Sequence, residues 1–282
     1  MDWLTEYKIP IGKVMKDFVD FLNDYFFWFF DGITIGLEFV LEGMAALLLA
    51  VNPLLLIIAI AGIAFYIHRS WKLIALVIPS LLLIINQGYW EDTIYTLSLV
   101  TWATLVCLAI GIPIGIAAAH RPKVWAVLRP ILDMMQTLPT FVYLIPALVL
   151  FGLGMVPGLI ATAIFAVAAP IRMTYLGVSS VPIPLIEAAE SFGATKKQLL
   201  WKVEIPYALP TIMAGLTQCI MLSLSMVVIA SMVGADGLGI PVLRAINTVN
   251  TAKGFEAGLA IVIVAILMDR ICKRPEPTGK KS

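Results

Sequence analysis

Three stretches of this chain, residues 93–119, 136–171 and 210–233, contain no Asp, Glu, Lys or Arg. A helix crosses the hydrocarbon core of a bilayer with about 20 mostly apolar residues, and each stretch reaches that length. Inside lipid every backbone N–H and C=O must find its partner within the protein, so runs of this kind commit the chain to helices. Composition agrees, with 61% of the 282 residues hydrophobic, 13% charged and a mean hydropathy of +0.97. The expected fold class is all-α integral membrane, a multi-span helical bundle. The same reading along the chain gives about seven spans, near 44–67, 71–88, 93–119, 136–155, 158–176, 208–233 and 254–271. The second is interrupted by Pro79 and the last opens on Glu256.

Lysine and arginine collect on the cytoplasmic side of short loops. An N-terminus outside puts Arg69, Lys72, Arg121, Lys123, Arg129, Arg172, Lys196, Lys197, Lys202, Arg270, Lys273, Arg274, Lys280 and Lys281 inside. Only Lys8, Lys13, Lys16, Arg244 and Lys253 stay outside, so the C-terminus is expected in the cytoplasm. Asp17, Asp24, Asp31 and Glu38 recur every seven residues, opposite a dense aromatic set that includes Phe26, Phe27, Trp28, Phe29 and Phe30. That pattern suits an amphipathic helix lying in the outer interface; the alternative is an eighth span with its acids turned to the bundle and the N-terminus inside. No basic region with a small-residue cleavage site marks a secretory signal.

The net charge of +1 gives no reason to expect nucleic acid. Cys107, Cys219 and Cys272 share no metal-ligand or redox spacing, and His68 and His120 stand singly at the ends of apolar segments, so neither a metal nor a catalytic site is expected. The ion-free spans also argue against proton- or sodium-coupled carriage, which keeps ionisable groups at mid-membrane. Packing is expected to rest on small residues such as Gly111, Gly115, Gly152, Gly154, Ala166, Ala168, Ala169 and Gly215.

Between the fifth and sixth spans the chain turns polar for about 30 residues, on the side where the cations collect. Pro182 and Pro184 open a short helix predicted over 185–192, with Glu187, Ala188 and Ala189 on it, and Gly193 is placed to cap it in the left-handed conformation. Thr195 and Gln198 have capping-box spacing for a second helix through Trp201 and Lys202, which Pro206 is expected to stop. Two short helices should meet at a glycine hinge.

Glu187-Ala188-Ala189, Gly193, Val203 and Ile205-Pro206 resemble the EAA loop of ABC importer permeases, with valine for isoleucine at 203 and isoleucine for leucine at 205. The run 134–146, which contains Gln136, Phe141 and Tyr143, and the segment 234–239 resemble the glycine betaine/proline branch of that family; the likeness covers roughly residues 90–270. It implies a type I importer permease with a permease core at 91–271 and its coupling loop at 177–207, beside which the residue pattern sets an amphipathic segment at 1–43, two peripheral spans at 44–90 and a basic cytoplasmic tail at 272–282. It further implies a bacterial inner-membrane location, a permease homodimer, an extracellular substrate-binding protein, and a separate ATPase subunit that binds ATP and Mg. The chain itself is expected to bind no cofactor and to be no enzyme, since no P-loop spacing occurs in it.

The implied cargo is a compatible solute such as glycine betaine, with choline, carnitine or another quaternary amine as alternatives, and a passive solute channel as a further one. Phe141, Tyr143 and Trp102 are candidate residues of the translocation path, because quaternary ammonium groups are recognised on aromatic faces, and Gln136 is a fourth, as an adaptable side chain that could gate a pore. Asp236, Gly237 and Gly239, in the outer glycine-rich loop, are candidates for contact with the binding protein.

Overall fold

A computed structural model of the chain describes residues 10–273, and among them every regular element is helical. In order these are α1 (Ile11–Leu49), α2 (Pro53–His68), α3 (Trp71–Asn86), α4 (Trp90–His120), α5 (Pro122–Thr137), α6 (Phe141–Phe151) and α7 (Met155–Ala166). There follow α8 (Ala168–Ser179), α9 (Ile183–Ser191), α10 (Lys196–Leu199), a π turn (Leu200–Glu204), α11 (Ile205–Ala230), a 3₁₀ turn (Ser231–Val233), α12 (Gly239–Asn247) and α13 (Thr251–Cys272). Lys8 and residues 274–282 of the expected basic tail lie outside the described residues.

Among the described residues, four helical rods are long and apolar enough to cross a membrane: Gly12–Leu49, Trp90–His120, Met155–Ser179 and Lys196–Val233. The pair α5 and α6 makes a fifth if a broken span is counted. Of the seven expected spans, the first two are 16-residue helices, α2 and α3, and α3 runs through Pro79 without ending there. The last, α13, carries Lys253 and Glu256 near one end and Asp269 and Arg270 near the other.

The middle of the bundle is Met155–Ser179, α7 and α8 end to end, 67% buried along its apolar window. It packs against α4 and α11, and the small residues read from the sequence explain how closely. A Cβ at Gly115 would lie 2.6 Å from Thr174 Cβ and 2.8 Å from the Ile171 carbonyl, and one at Gly215 would lie 2.8 Å from Met173 Cβ. Ala166, Ala168 and Ala169 are buried in the same seam. Gly152 and Gly154 do something else: they form the turn between α6 and α7, where a side chain would meet nothing. The main apolar core gathers Leu99 and Val100 of α4, Leu159 of α7, and Ile220, Leu224 and Val227 of α11, with Leu41, Ala64, Ile84 and Val264 brought in by the surrounding helices.

Two departures from the sequence expectation have local causes. The segment 136–155 is not one straight span. Leu138 precedes Pro139 and is held extended (φ −64°, ψ 135°), as steric conflict with the proline ring requires. Helix α5 therefore ends at Thr137, and α6 leaves it at 96°. Its 11 residues reach only about 16 Å, too short to cross alone. The second departure is α1, a single 39-residue helix kinked at Phe26 (φ −120°, ψ 16°) that runs through residue 43, where the sequence reading placed a division. Its second half is fastened to the bundle: Leu41 and Ala45 are buried, Ser98 Oγ donates to the Leu41 carbonyl at 2.8 Å, and Phe30 meets Phe151 edge-on at 5.4 Å.

Candidate coupling loop and transport path

The loop between α8 and α11 folds much as its residues prescribe. Pro182 caps α9 and Pro184 occupies its first turn, where a missing N–H is of no consequence. Gly193 follows at φ +76°, a conformation that costs a side-chain-bearing residue about 1–2 kcal/mol. Its N–H donates to the Glu190 carbonyl at 2.8 Å, and Ala194 N–H to that of Ala189 at 3.1 Å, closing the helix end. Thr195 then opens α10 with the expected capping box: its hydroxyl accepts from Gln198 N–H at 3.3 Å, and its own N–H donates to Gln198 Oε1 at 2.9 Å. The expected glycine turn at Gly193 and the capping box beyond it are therefore present, although only the first of the two helices they join is short.

Pro206 does not stop the second helix, contrary to expectation. It lies in the first turn of α11, and the backbone passes from α10 through the π turn into α11, so that Lys196–Val233 is one rod of 38 residues. The wider π turn lies where a proline would otherwise leave an α-helical carbonyl without its donor. Val203 and Ile205 thus belong to the base of a long helix.

Helix α9 buries none of its residues. Glu187 and Ala188 are exposed and Ala189 half-buried, while Ile183, Leu185, Phe192 and Trp201 show apolar surface around them, Phe192 at 93% exposure. A short helix with apolar neighbours, no fully buried residue and contacts chiefly to the adjoining α10 and π turn leaves most of its surface open to another chain. The loop's root, by contrast, is fixed. Leu199 is buried, and Glu204, 5% exposed, places Oε2 2.8 Å from Nε2 of His120 at the end of α4. The sequence reading passed over this pair, because 84 residues separate its members and neither stands in a recognisable spacing.

The candidate path residues divide. Phe141 is exposed at the start of α6 and Gln136 is half-buried at the end of α5, so both stand at the 96° bend. Tyr143 is buried, with its hydroxyl donating to the Met135 carbonyl across that bend, and Trp102 packs against the main core. Tyr143 thus braces the bend, and Trp102 is half-buried against the core. Also unforeseen is the fastening of α5 to α8, where Arg172 donates to Asp133 Oδ1 at 2.6 Å and the Trp125 and Tyr175 rings stack at 3.6 Å.

Of the three candidate residues in the 234–239 loop, Asp236 alone is exposed. Gly237 and Gly239 are buried: a Cβ at Gly237 would lie 2.6 Å from Thr96 Oγ1, and Gly239 lies against the Val227 carbonyl. Leu238 N–H donates to Thr96 Oγ1 at 2.9 Å, so the glycines seat the loop on α4 and present Asp236. Around it the surface is acidic. Burial first, then the charges of Glu256 and Asp92, push the Tyr89 phenol up from its ordinary value.

The family described as "Binding-protein-dependent transport system inner membrane component" matches residues 111–277. The chain belongs to this family. It is 47% identical to the glycine betaine transport system permease protein of Bacillus subtilis, over 94% of this chain and 93% of that one. It is 46% identical to the glycine betaine/carnitine transport permease protein of Listeria monocytogenes, over 93% and 94%. With the glycine betaine/proline betaine permease protein of Escherichia coli it shares 44% identity, over 93% and 74%. Among solved structures, the inward-facing methionine ABC transporter MetNI superposes with a TM-score of 0.58 at 23% identity, covering 70% of this chain and 99% of that one, a likeness of fold. The binding-protein-dependent permease is thus a membrane-integral transport component, without a catalytic role of its own.

Proposed function

We propose that this permease moves glycine betaine, or a closely related compatible solute, into the cell by alternating access, driven by a separate ATPase that docks on Glu187–Val203 of the loop. The carrying observation is α9, a capped helix none of whose residues is fully buried, standing at the end of the bundle where Arg121, Lys196, Lys197, Lys202 and Arg270 collect. That charge distribution supports a cytoplasmic loop and C-terminus. Small side chains at the exposed Ala188 and the half-buried Ala189 let a partner approach closely, while Glu187 can pair with a cation of that partner. Glu187, Ala188, Ala189 and Gly193 form the docking element, and Val203, Ile205 and Pro206 join it to α11.

Two such permeases, each receiving one ATPase, would form the translocation path between them. Gln136 and Phe141 at the α5–α6 bend are the residues that face it. An extracellular binding protein delivers the solute at the outer surface, where Asp236 stands. ATP and Mg are bound by the ATPase, since no P-loop spacing occurs in this chain. The apolar length of α1 favours a second reading of the N-terminal segment, as a span with the N-terminus inside rather than an interfacial helix outside.

The test is uptake by proteoliposomes that hold the permease with its ATPase and binding protein. Uptake of labelled glycine betaine should require ATP and all three components, and uptake by the permease alone would replace the importer with a channel. Choline and carnitine as competitors settle the cargo.

A further inference from the structure

Beside the transport path the bundle holds a second concave feature that the importer reading leaves unused. A cavity of about 1320 Å³ opens between α3, α11 and α13 at the same end as the coupling loop, with Pro206 in its wall. Its lining is of two kinds. At the mouth stand Lys72, Arg270 and Lys273, with Ser70. Lys273 is paired with Asp269 at 2.8 Å, whereas among the described residues Lys72 and Arg270 have no carboxylate partner. The walls are apolar, with Leu76 from α3, Leu209, Met213 and Ala214 from α11, and Ile266 from α13. Leu76 and Ile266 are themselves exposed, so the cavity opens on the flank of the bundle. His68 holds the wall together, its Nε2 lying 3.0 Å from the Ile271 carbonyl, which ties the end of α2 to α13.

We propose that this cavity is a binding site for an anionic phospholipid, with the headgroup phosphate at Lys72 and Arg270 and the acyl chains along α11 and Ile266. Charge complementarity selects the occupant. Two unpaired cations above an apolar wall match an anionic group carried on a hydrocarbon body, and basic pockets between membrane helices take such headgroups. A small transported solute does not fit: the volume is far larger than it needs, and no Phe, Tyr or Trp stands among the lining residues to receive an ammonium group on its face. Filling the cavity would support the long rod at Pro206 and Pro210, near its base.

The test uses the purified full-length permease and native mass spectrometry, with phosphatidylglycerol, phosphatidylcholine of the same chains, and glycerol phosphate as probes. Phosphatidylglycerol should stay bound at collision energies that strip phosphatidylcholine, and glycerol phosphate should not displace it. K72Q/R270Q removes two exposed cations and should weaken phosphatidylglycerol binding about thirtyfold, taking about fivefold for each cation at a headgroup. A214W leaves every charge in place and fills the wall, and it should abolish the retained lipid while the protein stays monodisperse. Equal retention of the two lipids, displacement by glycerol phosphate, or wild-type retention of phosphatidylglycerol by either monodisperse variant would overturn the site.

Discussion

The Glu204–His120 pair offers the sharpest test of how the loop is anchored to the bundle. Glu204 is 5% exposed, its Oε2 is 2.8 Å from His120 Nε2, and the His120 side chain is 45% exposed. His120→Ala leaves a buried carboxylate without its partner, and an orphaned buried polar group costs about 1–3 kcal/mol. Because His120 stands half in solvent, water can enter in its place, which puts the cost at the low end, about 1 kcal/mol, or roughly a fivefold change in the folded-to-unfolded ratio. Glu204→Gln keeps an oxygen for the imidazole N–H and should cost less. The double variant removes the orphaned charge as well, so its loss should fall short of the sum of the two single losses by about 0.5–1 kcal/mol. Thermal unfolding can be followed with a thiol-reactive dye on Cys107 and Cys219, both free and buried. The midpoint of His120→Ala should lie below that of His120→Ala/Glu204→Gln. Strict additivity would mean that the two side chains do not act together, and the anchoring argument would fail.

Three further variants probe the loop and the seam. Gly193→Val places a β-branched side chain at φ +76°, where space is free but the backbone conformation is strained by about 1–2 kcal/mol. Membrane insertion should be normal and uptake per ATP hydrolysed should fall severalfold; wild-type stoichiometry would remove the hinge from the coupling role. Ala189→Asp puts a charge on the proposed docking face and should lower co-purification of the ATPase about tenfold, whereas an undiminished complex would place the ATPase elsewhere. Gly115→Val drives a side chain into Thr174 and the Ile171 carbonyl, and overpacking of that kind costs about 1–3 kcal/mol. Its unfolding midpoint should drop by several degrees, and an unchanged midpoint would show that α4 and α8 can separate at no cost.

The elements legible in the sequence were those fixed by local chemistry. The ion-free runs of α4, α7–α8 and α11, the Gly193 terminus and the Thr195–Gln198 capping box each depend on residues within one or two turns of one another. The 96° bend was written in Leu138-Pro139, but a hydropathy window averages across a proline and returns one span. Pro206 misled in the opposite way: a proline forbids the helix before it only where an interior hydrogen bond must form, and the π turn beside it relieves that demand. Glu204–His120 and Asp133–Arg172 were illegible for another reason. Their partners lie 84 and 39 residues apart, and only the packing of α4 on α11 and of α5 on α8 brings them together. Tyr143 and Trp102 were chosen as aromatics in the right family of positions, yet burial on a helix face depends on which neighbours arrive.

The replacement of an expected helix stop by a continuous rod changes how force from the loop would reach the far side of the membrane. Had the chain broken at Pro206, a push on α9 would be absorbed by a second hinge at the membrane surface. Instead Lys196–Val233 extends about 57 Å without interruption, from the capping box at Thr195 to the outer loop. At its far end the Val233 carbonyl accepts from Gly154 N–H at 3.0 Å, and Leu238 N–H rests on Thr96. Gly215 and Gly177 bring the loop-side half of the rod so close to α8 that an added Cβ would lie 2.8 Å from Met173 Cβ at Gly215 and 3.0 Å from Ala208 Cβ at Gly177, so the rod and the central α7–α8 segment resist moving apart. Under the coupling role proposed for the loop, one soft joint at Gly193 and a stiff lever beyond it would deliver displacement to the 234–239 loop and Asp236. The soft joint therefore belongs outside the bundle, where nothing surrounds Gly193, and the tight contacts belong within it.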